Sequence, residues 1–283
     1  MKRGGYTYRW LLLSAVALTA LTAMAETPRL RVLSFNVMGQ ARGSSLPWSD
    51  RSTAMCLTLH KLQADVMGLQ EVDSIQATDL AQGLPDYGFV DERLPEGTPH
   101  GESNVILYYK KNYKLIDHGT FWLSETPELP SPCWDNPRQQ SVCWAVFQSL
   151  KSGISFLVAN TRFDQLNAEQ RLNSSVLIKN YLSKMTNNTP VIFMGSMGCE
   201  SNEPFYQSLL HRYIPLKDAW ESAQRKKGGP DTTNGLAADQ HRVDYIFTIE
   251  GVKVRQARVQ PALAGRNVVL SDHDLLWVDL VKK

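Results

Sequence analysis

Short apolar or alternating runs recur along the chain and predict nine strands: LRVLSFNV (30–37), DVMGLQEV (65–72), NVILYYK (104–110), VCWAVFQSL (142–150), ISFLVANT (154–161), PVIFMG (190–195), RVDYIFTI (242–249), VKVRQARV (252–259) and LLWVDLV (275–281). Three stretches instead carry apolar residues every three to four positions, the period of a helix. SDRSTAMCLTLHKLQ (49–63) has Ser49 placed to cap it, NAEQRLNSSVLIKNYLSKM (167–185) starts from Asn167, and NEPFYQSLLHRY (202–213) opens on an Asn with a proline soon after. Helices follow some strands while other strands run in succession. That order argues against an alternating parallel barrel. It predicts an α/β (α+β) domain in which two sheets pack face to face with helices outside. The Pro- and aromatic-rich stretch GTFWLSETPELPSPCWDNPRQ (119–139) reads as a long surface loop beside a strand.

The first 25 residues break this pattern. Lys2, Arg3 and Arg9 precede LLLSAVALTALTA, an uncharged run of 13, and Ala23-Met24-Ala25 offers small residues where a signal peptidase reads. This predicts a secretory signal peptide at 1–25 and export to the periplasm or beyond the cell, since a spanning helix needs about 20 apolar residues. Removing 25 of 283 residues leaves 258 (26–283), an ordinary size for one domain. It also removes three basic residues, leaving 27 Lys and Arg against 28 Asp and Glu. Near-neutral charge gives no strong nucleic-acid signal. An exported chain is allowed disulfides. The four cysteines permit three full pairings, and Cys133 with Cys143, flanking one Pro-containing loop, is the favoured pair. Nothing in the Cys and His spacing suggests zinc.

Polar residues at strand ends carry the candidate chemistry. Asn36 interrupts LSFNV, Gln70 and Glu71 end GLQEV, Asn160 to Asp164 end VANTRFD, Asp244 interrupts RVDYIF, and Asp272 and His273 precede the last strand. Each alone has an ordinary structural reading, such as a turn cap or a rim ion pair. A buried carboxylate is nevertheless costly unless paired or bound to metal. Convergence of Asn36, Glu71, Asp244, Asp272 and His273 would describe an oxygen-rich site for one Mg²⁺ or Mn²⁺, with a carboxylate-oriented His beside a phosphate.

These motifs resemble the endonuclease/exonuclease/phosphatase superfamily, the deoxyribonuclease I-like proteins, in the family's order from about residue 29 to the C-terminus. The resemblance implies a four-layer α/β/β/α sandwich and a metal-dependent phosphodiesterase or phosphatase. It implies Glu71 as the main metal ligand, assisted by Asn36 and Asp272. It implies His273 on the scissile phosphate, oriented by Asp244.

Two motifs depart from the family pattern. Where the family usually has Gly-Asp-x-Asn, this chain has Gly195-Ser196-Met197-Gly198. The activating Asp and orienting Asn are thus replaced by Ser196 and Gly198. Where the family has Asn-Thr-His-Leu-Asp, this chain has Asn160-Thr161-Arg162-Phe163-Asp164, with Arg162 in place of the His. Ser196 has no basicity useful near neutral pH. Arg162 is suited to donate to phosphate but not to act as acid or base. Glu200 and Asp164 are the carboxylates close enough in sequence to substitute as base. The expectation is an exported hydrolase scaffold with impaired catalysis. The alternative is a non-catalytic protein that binds a phosphate or sugar phosphate through Arg162 and Asn160. A surface built on Phe121, Trp122, Trp134 and Trp144 is a third, weaker reading.

Overall fold

The computed structural model describes residues 29–39, 46–91, 102–163, 166–186, 189–211, 214–236, 240–265 and 267–282. The segment 1–25 and Asp164 lie outside them. The first half of the chain forms β1 (Arg29–Asn36), α1 (Trp48–Leu62), β2 (Val66–Val72), α2 (Ser74–Gly83), β3 (Tyr87–Val90), β4 (Ser103–Tyr109), β5 (Tyr113–Trp122), β6 (Pro132–Cys133), β7 (Asn136–Gln139) and β8 (Ser141–Ser149). The second half forms β9 (Ser155–Arg162), α3 (Ala168–Thr186), β10 (Val191–Ser196), α4 (Pro204–Leu210), β11 (Lys217–Asp218), β12 (Lys226–Lys227), β13 (Asp244–Thr248), β14 (Val252–Gln260), β15 (Leu263–Ala264), β16 (Val268–Val269) and β17 (Leu275–Lys282).

Two sheets hold the fold. One runs β12-β14-β17-β1-β2-β4-β3 and the other β11-β13-β10-β9-β8-β5. In each, a parallel pair sits near the middle (β1 with β2, β9 with β10) and most other neighbours are antiparallel. The alternation of side chains along a strand sorts the core into layers. Val32, Val66, Val158, Ile192, Ile246 and Val278 face inward and fill the space between the sheets. Leu33, Phe35, Met67 and Trp277 point outward from the first sheet and pack with Met55 and Leu59 of α1 and Leu80 of α2. Leu157, Phe193 and Phe247 do the same on the second sheet against Ile178 and Leu182 of α3 and Phe205 of α4. Helix, sheet, sheet and helix are therefore the four expected layers.

Four local expectations change. The 119–139 stretch is not all loop, because its first residues close β5, a ten-residue strand at the edge of the second sheet. Phe121 and Trp122 from it are buried, and Phe121 stacks on Tyr181 of α3 at 4.3 Å, so these rings pack the domain rather than present a surface. Ser49 does not cap α1, whose N-cap position is Pro47, whereas Asn167 and Gln170 form a reciprocal capping box at α3. Cys133 and Cys143 are not bridged, and none of the four cysteines forms a disulfide. Cys133 lies in the layer under α3 and Cys143 points between the sheets, so the sheet itself separates them.

Candidate functional site

The polar strand ends meet at one end of the sandwich. On the first sheet, Asn36 lies beside Gln70 in the parallel register of β1 and β2. Continued alternation would turn Glu71 away from the inter-sheet space. A register irregularity between Leu69 and Val72 prevents this, and Glu71 itself adopts φ +60°. A bulge of this kind re-aims a side chain, and a left-handed non-glycine residue costs on the order of 1 kcal/mol. The re-aimed carboxylate is buried and accepts from Asn36 Nδ2 at 2.8 Å and from the Gly39 amide at 3.2 Å.

Asn160 underlies this bulge. It is fully buried, and its Nδ2 donates to the carbonyls of Leu69 and Val105, each 2.9 Å away. Those two residues face each other on β2 and β4 at the place where the ladder breaks. Its Oδ1 accepts from Gln70 Nε2 at 2.6 Å. Asn160 is thus a tie between the sheets, with its amide engaged by the strands that carry Glu71.

On the second sheet, Arg162, Ser196 and Asp244 stand abreast. Ser196 pairs with Arg162 on one side and with Asp244 on the other. Gly195, at φ +151°, is required here because a β-carbon would collide with the Thr161 carbonyl. Ser196 presents only a hydroxyl in a buried position. Glu200 does not replace the missing carboxylate there, since it pairs with His241 at 3.2 Å on the exposed rim.

Asp244 Oδ2 holds His273 Nδ1 at 2.7 Å. Burial alone would lower the pKa of this imidazole. The Asp244 carboxylate, aided by the nearby charges of Asp272 and Glu71, overrides that and lifts it to about 9. The ring is thus an imidazolium at neutral pH, able to donate from Nε2. Asp272 takes part through its field and a 3.3 Å bond from the Ser271 hydroxyl.

Three residues that sequence reasoning passed over hold the parts together. Thr232 is buried, and its hydroxyl oxygen accepts from the amides of Val243 and Asp244, both at 3.0 Å, while its carbonyl takes the Asp274 amide. Arg51 is 1 % exposed, and its guanidinium donates to the carbonyls of Leu46, Val37, Met38 and Leu270. It thereby fastens the end of β1 to the segment carrying Asp272 and His273. A buried arginine in a helix was the one available signal, but its period in α1 is that of any amphipathic position. The third is Glu102, just before β4, which no strand-end motif marks.

Among the described residues, the carboxylates of Glu71 and Glu102 bind Arg162. Its Nε donates to Glu71 Oε1 at 2.7 Å and one terminal nitrogen lies 3.3 Å from Glu102 Oε2. The side chains of Arg162 and Glu71 are 11 % and 2 % exposed, so this pair is largely removed from water. Glu71 therefore already carries N–H donors on both oxygens and a full positive charge on one. A hard divalent cation needs those oxygens as ligands. Among the described residues, no group of three Asp, Glu, His or Cys side chains is arranged to hold a metal ion. In this arrangement Glu71, Asn36 and Asp272 do not fit the Mg²⁺ or Mn²⁺ that the resemblance implies.

The family model described as Endonuclease/Exonuclease/phosphatase family matches residues 33–273, from β1 to His273. The chain belongs to this family. The family's solved structures include a Bacteroides vulgatus endonuclease/exonuclease/phosphatase, similar to this chain at 27 % identity and a TM-score of 0.84 over 91 % of this chain and 100 % of that one. A Bacteroides thetaiotaomicron mannosyl-6-phosphatase is similar at 26 % identity and a TM-score of 0.81, covering 89 % and 99 % of the two chains. An uncharacterized protein of Acanthamoeba polyphaga mimivirus is 22 % identical over 240 residues, 77 % of this chain and 87 % of its own length. The matched span takes in every strand-end motif from Asn36 to His273, and with them Arg162, Ser196 and Gly198.

Proposed function

We propose that the chain is an exported member of the family, with residues 1–25 as its signal and 26–283 as one domain, whose pocket binds a phosphoryl group and turns it over slowly or not at all. The observation that carries this is the rung Arg162–Ser196–Asp244. Its one carboxylate, Asp244, is engaged by His273, its central position carries only the Ser196 hydroxyl, and its cation is locked on Glu71. The residues on hand suit anion binding. His273, protonated and held by Asp244, donates toward a phosphate oxygen. Similarity to a protein named as a mannosyl-6-phosphatase supports a sugar phosphate as the first ligand to try. Among the described residues, no helix is long and apolar enough to cross a membrane.

A second reading is the Mg²⁺- or Mn²⁺-dependent hydrolase. The intact Asn36–Glu71 and Asp244–His273 bonds favour it, and it requires Arg162 to leave Glu71.

Hydrolysis of an activated phosphomonoester and phosphodiester separates the two. Residues 26–283 are assayed with Mg²⁺ or Mn²⁺ beside the variant Arg162→His/Ser196→Asp/Gly198→Asn. Gly198 sits at φ +58°, a region Asn tolerates, and a β-carbon there lies 3.2 Å from the Phe163 carbonyl oxygen, so the third change needs a small shift of that backbone. The restored variant is expected to exceed the parent by ~10²–10⁴-fold, the usual yield of a positioned base. Parent turnover that is abolished by Glu71→Ala and not raised by restoration would reject the binding reading.

A further inference from the structure

We propose that Arg162 is the resident cation of this pocket. Its guanidinium occupies the place on Glu71 that the family resemblance gives to a divalent metal, and the protein is thereby closed to metal at that site. The geometry is built for this. Glu71 is aimed by its bulge at Arg162 Nε, 2.7 Å away, and Glu102 holds the second face of the guanidinium at 3.3 Å. Gly39 makes room for that second carboxylate, because a β-carbon there would collide with it. Asn36 and the Gly39 amide also donate to the Glu71 carboxylate.

The substitution is not equivalent to a histidine that happens to be longer. Imidazole can lose its proton and stand neutral beside a metal, whereas guanidinium stays charged at every accessible pH. Arg162 also cannot withdraw with its backbone, because it is paired to Ser196 at the end of β9. A divalent ion at Glu71 would therefore have to displace a fixed cation from two carboxylates or sit against it. Both are unfavourable at a site screened from water.

The inference deepens the proposed binding function but is measured without any phosphorylated ligand, so cation binding and turnover can fail independently. Mn²⁺ is titrated into residues 26–283, into Arg162→Ala and Arg162→His, and into Arg162→Ala/Glu71→Gln, followed by calorimetry and water-proton relaxation. The parent is expected to show no saturable site. The folded single variants are expected to gain one at least ~100-fold tighter than any parent binding, equivalent to about 2.7 kcal/mol, and to lose it with Glu71→Gln. Saturable binding by the parent that disappears on Glu71→Gln overturns the proposal. So does a folded pair of single variants that gains nothing. A variant-free readout stands beside these in case the single variants do not fold. The Arg162 Nε–H resonance, protected by its bond to Glu71, should persist unshifted in excess Mg²⁺ in the unmodified protein. Its loss or displacement would also overturn the assignment.

Discussion

Asn160→Ala tests whether the bulge that aims Glu71 is held from across the sandwich. The change removes one buried amide that donates to the carbonyls of Leu69 and Val105 and accepts from Gln70. Gln70 keeps other acceptors in Ser34 Oγ and the Gly68 carbonyl, so its loss is small. The two carbonyls lose their inter-sheet donor in a fully buried place. A buried polar group left unmatched costs about 1–3 kcal/mol, and two of them set the expected destabilisation at roughly 3 kcal/mol. With a urea m-value of about 3 kcal/mol/M for a domain of this size, the midpoint should fall by about 1 M. Equilibrium urea unfolding followed by tryptophan fluorescence reads this directly. A substrate contact in the unliganded protein would contribute little to stability. A midpoint shift below about 0.3 M, which is 1 kcal/mol at that slope, would refute the tie and return Asn160 to the ligand.

Arg51→Met leaves four backbone carbonyls without their shared donor and should cost about 3 kcal/mol or more, lowering the melting temperature by roughly 10 °C. The His273 imidazole, followed by NMR in metal-free protein, should titrate near 9 and drop on Asp244→Asn. Because its folded pKa lies above the ordinary 6.5, the Asp244 contribution to stability is fully present below pH 6.5 and is lost as pH rises through 9. Parent and Asp244→Asn stabilities should therefore converge over that window, and a constant gap would contradict the assignment. All four cysteines should react with a thiol reagent in denaturant without reductant. In the native protein Cys199 should be slow, since burial pushes its thiol up to about 12. Recovery of fewer than four thiols would show a disulfide.

The nine strands were readable because each carries an apolar or alternating run long enough to name a buried face. Helix α2 was not, since its ten residues bury only Gln76, Ala77 and Leu80, too few to establish a period. Its readable signal was local: Asp73 and Gln76 form a capping box. Strand β5 hid for the opposite reason. As an edge strand it exposes most of its middle, and its buried end falls in a Pro- and aromatic-rich stretch that mimics a loop. At the site, strand-end position sufficed to single out Asn36, Glu71, Asp244 and His273, which the fold gathers at one end. It did not suffice for Asn160, because a polar residue buried inside a strand reads alike whether it faces a ligand or another sheet. The Arg162–Glu71 pair was beyond sequence pattern altogether. It depends on two sheets facing each other and on a bulge at Glu71 that no residue type announces.

The central position of β17 has a consequence for how the protein folds. This strand lies between β14 and β1, and its residues pair with the first described strand from Arg29↔Val281 to Ser34↔Leu276. Until it docks, the first sheet stays divided, with β12-β14 on one side and β1-β2-β4-β3 on the other. The segment bearing His273 enters directly into β17, so the same docking carries His273 to Asp244. Contacts so distant in sequence form slowly, so the last join of the sheet and the completion of the site are one late event of folding.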